Sequence, residues 1–238
     1  MLSETPFLTA EWRRLILLTY AVDAALLEEH LPQGLTLDTL HGRTYVSLVA
    51  FDFEKTKLRG VPVPFHTDFP EINLRFYVRQ GSKRGVVFIK ELVPKFWIAE
   101  LANRIYNEPY AVADMYSTYD LNDLNELEVF HEIIDTNGVK HTLRFFAEPT
   151  PVLPPPDSSE TFFKEQEWGF GVNHQGELTT YRVKHPEWRI HPLTRGFQFL
   201  WDFGSLYGEK WAFLNNQIPY NILLAEGSEV SVSPNEKA

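Results

Sequence analysis

Cysteine is absent from the 238 residues. That excludes disulfides, thiolate metal sites and a cysteine nucleophile. Long apolar runs are missing too. No stretch approaches the roughly 18 consecutive apolar residues of a membrane span, so no membrane partner is expected. The segment Met1 to Thr9 is acidic and polar. It lacks the basic and apolar regions of a signal peptide, and a cytoplasmic location is the expectation. Positive charge is scarce: 22 lysines and arginines face 32 acids, a formal net charge of −10. Such a surface repels phosphate backbones, which argues against a nucleic-acid partner. Part of the imbalance lies in Asp120 to Glu132, which holds no lysine or arginine and reads as a solvated hairpin face. No phosphate loop, G-x-S-x-G elbow or dinucleotide fingerprint occurs, and G-F-G-V-N at 169–173 departs from G-x-G-x-x-G.

What the chain does have is apolar and aromatic mass, 44% and 14% of its residues, enough to fill the core of one large β-rich domain. The segment W-R-R-L-I-L-L-T-Y (12–20) reads as a buried strand. Asp23 then opens a short helix whose apolar face is Leu26, Leu27 and Leu31, ended by Pro32 and Gly34. T-Y-V-S-L-V-A-F-D-F (44–53) reads as a strand. So do E-I-N-L-R-F-Y-V-R (71–79) and V-V-F-I-K-E-L (86–92), which flank a Gly-bounded turn as a hairpin. Residues 94–106 change period. Trp97, Ile98, Leu101, Ala102 and Ile105 form a helical stripe behind Pro94. A further hairpin pairs 127–135 with 139–147. Five prolines between 149 and 159 predict a stiff crossing loop within one domain rather than a linker. Ser158 or Ser159 is expected to cap a short helix, strands are expected at 168–173 and 178–184, and 195–204 fits helix or strand equally. Residues from about 226 to 238 read as a polar, frayed tail. The sum is an α+β protein, 1–238, with one large, mostly antiparallel sheet, closed as a barrel or covered by helices.

Single residues admit a plain and a chemical reading. Asn107 and Glu108 suffice as helix terminators, and Arg104 complements a helix dipole. His66, Asp68 and Glu71 lie close in sequence, but their spacing matches no metal motif, so no metal is expected. The eight histidines include no H-E-x-x-H pair. No cofactor is expected.

Six stretches together resemble the YqjF-like family of uncharacterised conserved proteins. They are L-T-A-E-W-R-R-L-I-L, L-P-Q-G-L, V-S-L-V-A-F, F-P-E-I-N-L-R-F-Y-V, E-L-V-P and Y-N-E-P-Y, all between residues 8 and 110, and the resemblance runs from about residue 8 to 232. That family is similar, more distantly, to acetoacetate decarboxylase. The resemblance implies a cone-like β-barrel with a central pocket. In the decarboxylase a lysine following a proline forms a Schiff base, activated by a neighbouring lysine. The resemblance sets Pro109 on that proline, Tyr110 on the nucleophile and Ala111 on its neighbour. A phenol forms no imine, so Schiff-base chemistry is excluded at this position. It also places Arg13, or Arg14 beside it, on the family's buried arginine and Glu71 on its pocket glutamate, with Glu71 as the expected partner of Arg13. Lys90 and Lys95 are the lysines nearest in sequence to take over a lost nucleophile.

The resulting expectation is a remodelled pocket for a small, anionic organic ligand, with Glu71 and Tyr110 as catalytic residues and Arg13, Asn107, Glu108 and His185 around the ligand. The chemistry to expect is acid–base: lyase, hydratase or isomerase type. A non-catalytic binding module and a protein-interaction scaffold with a vestigial pocket are the alternatives, and a homo-oligomer fits any of the three.

Overall fold

A computed structural model describes residues 6–64, 67–94 and 109–238. The strands are β1 (Leu8–Val22), β2 (Thr36–Leu37), β3 (Thr44–Leu58), β4 (Val61–Pro62), β5 (Phe69–Gln80), β6 (Lys83–Val93), β7 (Tyr110–Val112) and β8 (Asp114–Leu121). They continue with β9 (Leu127–Ile134), β10 (Lys140–Ala147), β11 (Trp168–Val172), β12 (Leu178–Lys184), β13 (Leu193–Leu200), β14 (Asn221–Val232) and β15 (Glu236–Lys237). The short helices are α1 (Ala25–Glu28), α2 (Ser159–Lys164) and α3 (Phe203–Tyr207), with a 3₁₀ segment at Glu209–Asn216. The fold is therefore α+β, mostly strand with few helices. The predicted helix over 94–106 lies outside the described residues beyond Pro94.

The main sheet runs β2-β5-β3-β1-β14-β12-β11-β6-β7. Strand β6 also pairs along its length with β5, so the path of pairings returns to β5. The contact of β11 with β6 requires Gly85, where a Cβ would stand 2.1 Å from the Trp168 carbonyl oxygen. Ten consecutive residues of β3, Thr44 to Phe53, are buried. That continuous burial is what a strand covered on both faces shows.

The two faces hold two cores. One face carries Ile16, Leu18, Leu48, Ile72, Leu74 and Phe76 and packs on α1, α3 and the second sheet, β13-β10-β9-β8. The other carries Leu15, Leu17, Tyr45, Val49, Phe51 and Tyr77, with Phe163 of α2 inserted among them. Phe163 is fully buried, with ring centroids 5.1 Å from Tyr45 and 5.2 Å from Tyr77. Ser158 caps α2 by accepting from the Thr161 amide at 3.2 Å.

Strand β1 is bulged. Arg14 has φ 55°, and the register with β3 shifts between Arg13 and Ile16. One extra residue reverses the alternation. Trp12 therefore shares a face with Leu15, and both join the Tyr77 core.

The tail expected from 226 is instead the second half of β14. Residues 227–232 pair with Arg13 back to Leu8. The polar composition conceals an alternation in which Val230 and Val232 are buried while Glu229 is exposed. The ambiguous run 195–204 divides: β13 ends at Leu200, and Asp202 caps α3 by accepting from the Gly204 and Ser205 amides. Among the described residues, no helix is long and apolar enough to cross a membrane.

Candidate functional site

Strand β5 alternates. Ile72, Leu74, Phe76 and Val78 join one core, while Glu71, Asn73, Arg75 and Tyr77 stand on the opposite face. Their relative exposures are 3, 1, 8 and 1%. Four polar side chains in a buried row require partners. Asn73 Nδ2 donates to Glu71 Oε1 at 3.0 Å. The Tyr77 hydroxyl is 2.5 Å from Ser47 Oγ on β3, which is 2.7 Å from Thr19 Oγ1 on β1. Arg75 hydrogen-bonds with Tyr77 and acts electrostatically on both Tyr77 and Glu71.

Two further strands complete the group around Glu71. Asn73 is level with Glu91 of β6, and Glu91 is level with Tyr110 of β7. The Glu91 carboxyl, 1% exposed, and the Tyr110 hydroxyl both hydrogen-bond with Glu71. Burial pushes the Glu71 pKa up to about 7, against the opposing pull of the Asn73 amide, the Arg75 charge and the bonds with Tyr110 and Glu91. Two buried carboxyls in contact hold a proton between them more readily than two charges. Burial alone also raises the Tyr77 pKa above its ordinary value, the neighbouring groups only offsetting it. Two polar atoms of the row find no partner among the described residues: Asn73 Oδ1 and Arg75 Nε.

The structure thus brings Glu71 and Tyr110 together. Ala111, the next residue, faces the opposite core with Leu92 and Ile89. Arg13 does not join them. It pairs with Glu11, Nη2 to Oε2 at 2.5 Å, and is a third exposed. No Arg13–Glu71 pair forms: the bulge at Arg14 puts Arg13 on the far face, and the cation that acts on Glu71 is Arg75. The more buried arginine is Arg14. It reaches Asp52 at 3.0 Å and Glu54 at 2.6 Å and lies over the Tyr119 ring at 3.4 Å. These groups and Ser117 line a separate open cleft of about 410 Å³.

His185 stacks on Trp188 at 4.0 Å between centroids and has Nδ1 2.9 Å from the Pro186 carbonyl oxygen. Its nearest acid is Glu165, at 4.0 Å. Asn107, Glu108 and Lys95 lie outside the described residues, as does His66. Asp68 caps the backbone, accepting from the Lys55 amide at 3.1 Å. Among the described residues no three histidines or acids are placed to hold a metal. Lys90 stands on the face opposite Glu71, with Nζ donating to the Leu206 carbonyl at 2.5 Å and its pKa lowered by burial.

Sequence reasoning missed Asn73, Arg75 and Glu91. The signal for Asn73 and Arg75 was in view: E-I-N-L-R-F-Y places a polar residue at every second position of a strand whose intervening residues are apolar.

Residues 9–229 match the DUF2071 family, described as an uncharacterized conserved protein. An uncharacterized protein, YqjF, of Bacillus subtilis (strain 168) is 34% identical over 108 residues; the match spans 44% of each chain, so less than half of that relative's length. Acetoacetate decarboxylase from Legionella pneumophila superposes with a TM-score of 0.64 at 12% identity, over 98% of this chain and 87% of that one. The enduracididine biosynthesis enzyme MppR, complexed with pyruvate, gives 0.65 at 10% identity, over 99% and 91%. At such identities the two structures establish a shared fold.

Proposed function

We propose, for a chain that belongs to the DUF2071 family of uncharacterized conserved proteins and has an acetoacetate decarboxylase-like fold, that the polar row on β5 lines a pocket for a small organic anion. We infer further that Glu71 moves a proton on that ligand. The observation that carries the reading is a buried carboxyl with its pKa near 7, in hydrogen bond with a phenol. A group that titrates near the working pH both takes and returns a proton efficiently. Tyr110 is the adjoining donor for an oxygen that gains negative charge. Arg75 is the cation for the ligand's carboxylate. The pairings of β6 with both β5 and β11 support a barrel closed around this row.

The simplest reaction of this kind removes a proton from carbon next to a carbonyl. The C–H bond breaks, the proton passes to the ionised Glu71, and the electron pair moves onto the carbonyl oxygen, where Tyr110 donates. Return of the proton restores the carbonyl compound. No imine is needed, in keeping with a tyrosine where the decarboxylase resemblance sets a lysine. MppR, whose structure holds pyruvate, supports a short oxo acid as the probe.

Incubation with pyruvate in D₂O tests this. Loss of the methyl proton signal above the buffer rate is expected, with Glu71→Gln slowing it by about 10²-fold or more. No exchange above buffer, or equal exchange by the variant, would overturn the assignment. Binding of pyruvate without exchange would make the protein a ligand-binding module.

A further inference from the structure

Two atoms of the β5 row specify more than a negative charge. A carboxylate oxygen only accepts, so Asn73 presents its Nδ2 to Glu71, and its Oδ1 is left as a buried acceptor. One rung along, Arg75 Nε is a buried donor. Same-face neighbours on a strand stand about 7 Å apart. An acceptor and a cationic donor on neighbouring rungs of one face complement a ligand with an O–H at one end and a carboxylate at the other.

We propose that the site takes a short hydroxycarboxylate, whose hydroxyl donates to Asn73 Oδ1 and whose carboxylate accepts from Arg75 Nε. The inference rests on the β5 row being the ligand site proposed above, but it concerns recognition and needs no proton transfer. A hydroxyl fits better than an ammonium group, because Asn73 Oδ1 is a single acceptor and an ammonium group brings three donors to satisfy. It also explains why the row has an amide at its centre. A leucine of similar size would fill the space, but only an amide links Glu71 to a ligand hydroxyl. A site built to pair a ligand hydroxyl discriminates strongly against the analogue without it, since the acceptor is then left buried and bare.

The test compares lactate, 3-hydroxypropionate, propionate and alanine by isothermal titration of the full chain. Lactate and propionate share their carbon count and differ by one hydroxyl. At least one hydroxy acid is expected to bind about tenfold or more tighter than propionate. Asn73→Leu should bring the hydroxy acids down to propionate, and Arg75→Met should weaken all the carboxylates together. Propionate binding as tightly as both hydroxy acids would overturn the proposal, as would preference for alanine or binding of none of the four at millimolar concentration. The wild-type comparison stands without either variant. Hydroxyl selectivity without pyruvate exchange would retain this inference while removing the catalytic role of Glu71. Exchange without selectivity would do the reverse.

Discussion

Asn73 stands two residues beyond Glu71 on β5 and donates its side-chain amide to Glu71 Oε1 at 3.0 Å. The bond is made between side chains almost without exposure, so it fixes the direction of the carboxyl instead of competing with water. It also favours the ionised form, and burial still wins: Glu71 sits at about 7 against an ordinary 4.5.

That balance gives stability a pH dependence. The folded state holds a proton on Glu71 that the unfolded chain has already released between pH 4.5 and 7. The contribution of this group is fully present below about 4.5 and is lost as the pH rises towards 7, at up to about 1.4 kcal/mol per pH unit. Glu71→Gln removes it. Urea unfolding at pH 5, 6, 7 and 8 should show the wild type losing ground to the variant between 5 and 7. Parallel pH profiles would place Glu71 outside the low-dielectric interior.

Tyr110→Phe keeps the ring and deletes the hydroxyl bonded with Glu71. A loss of roughly 0.5–1.5 kcal/mol in urea unfolding is expected. Because that bond lowers the Glu71 pKa, the carboxyl of the variant should titrate at higher pH, which carbon-13 NMR of labelled glutamate would detect. An unchanged titration would separate the two residues. Tyr110→Lys would supply an amine without a neighbouring lysine, and Ala111→Lys would not complete a pair, since position 111 faces the other core.

Burial lowers the pKa of Lys90, but this lysine stands on the side of the sheet away from Glu71. Borohydride reduction in the presence of acetoacetate should leave no adduct on it. Mass-spectrometric mapping of an adduct to Lys90 would move the chemistry to the α3 face.

The proline-rich segment 149–159 is tied to the fold: Val152 and Ile190 exchange both backbone bonds at 2.8 Å. Cleavage within it by a protease should leave the two fragments associated and unfolding in one transition. Two separate transitions would mean two domains.

Much of this architecture was legible from residue types. The β5–β6 hairpin, the β9–β10 hairpin and the Ser158 cap follow from β-branched runs, turn residues and a capping hydroxyl, all local signals. Glu71 and Tyr110 came from resemblance, and the fold brings them into one hydrogen-bonded group. What was hidden depends on contacts distant in sequence. The polar end of β14 becomes a strand because β1 is long enough to pair with it. Arg13 was misplaced because nothing in W-R-R-L announces that a non-glycine residue adopts positive φ. Asn73 and Arg75 were readable from period two, because polar and apolar residues alternate through E-I-N-L-R-F-Y.

The bulge at Arg14 makes residue count, as well as residue identity, a heritable property of β1. Straightening the strand while keeping that residue would turn Trp12 out of its cluster with Phe51, Phe53 and Trp188, whose ring centroids now lie 5.0 to 6.3 Å away. Every side chain upstream would exchange inside for outside. Losing the extra residue together with the bulge would instead leave Trp12 and Leu15 two apart and on one face. Related sequences should therefore change the length of β1 at this point only together with the bulge.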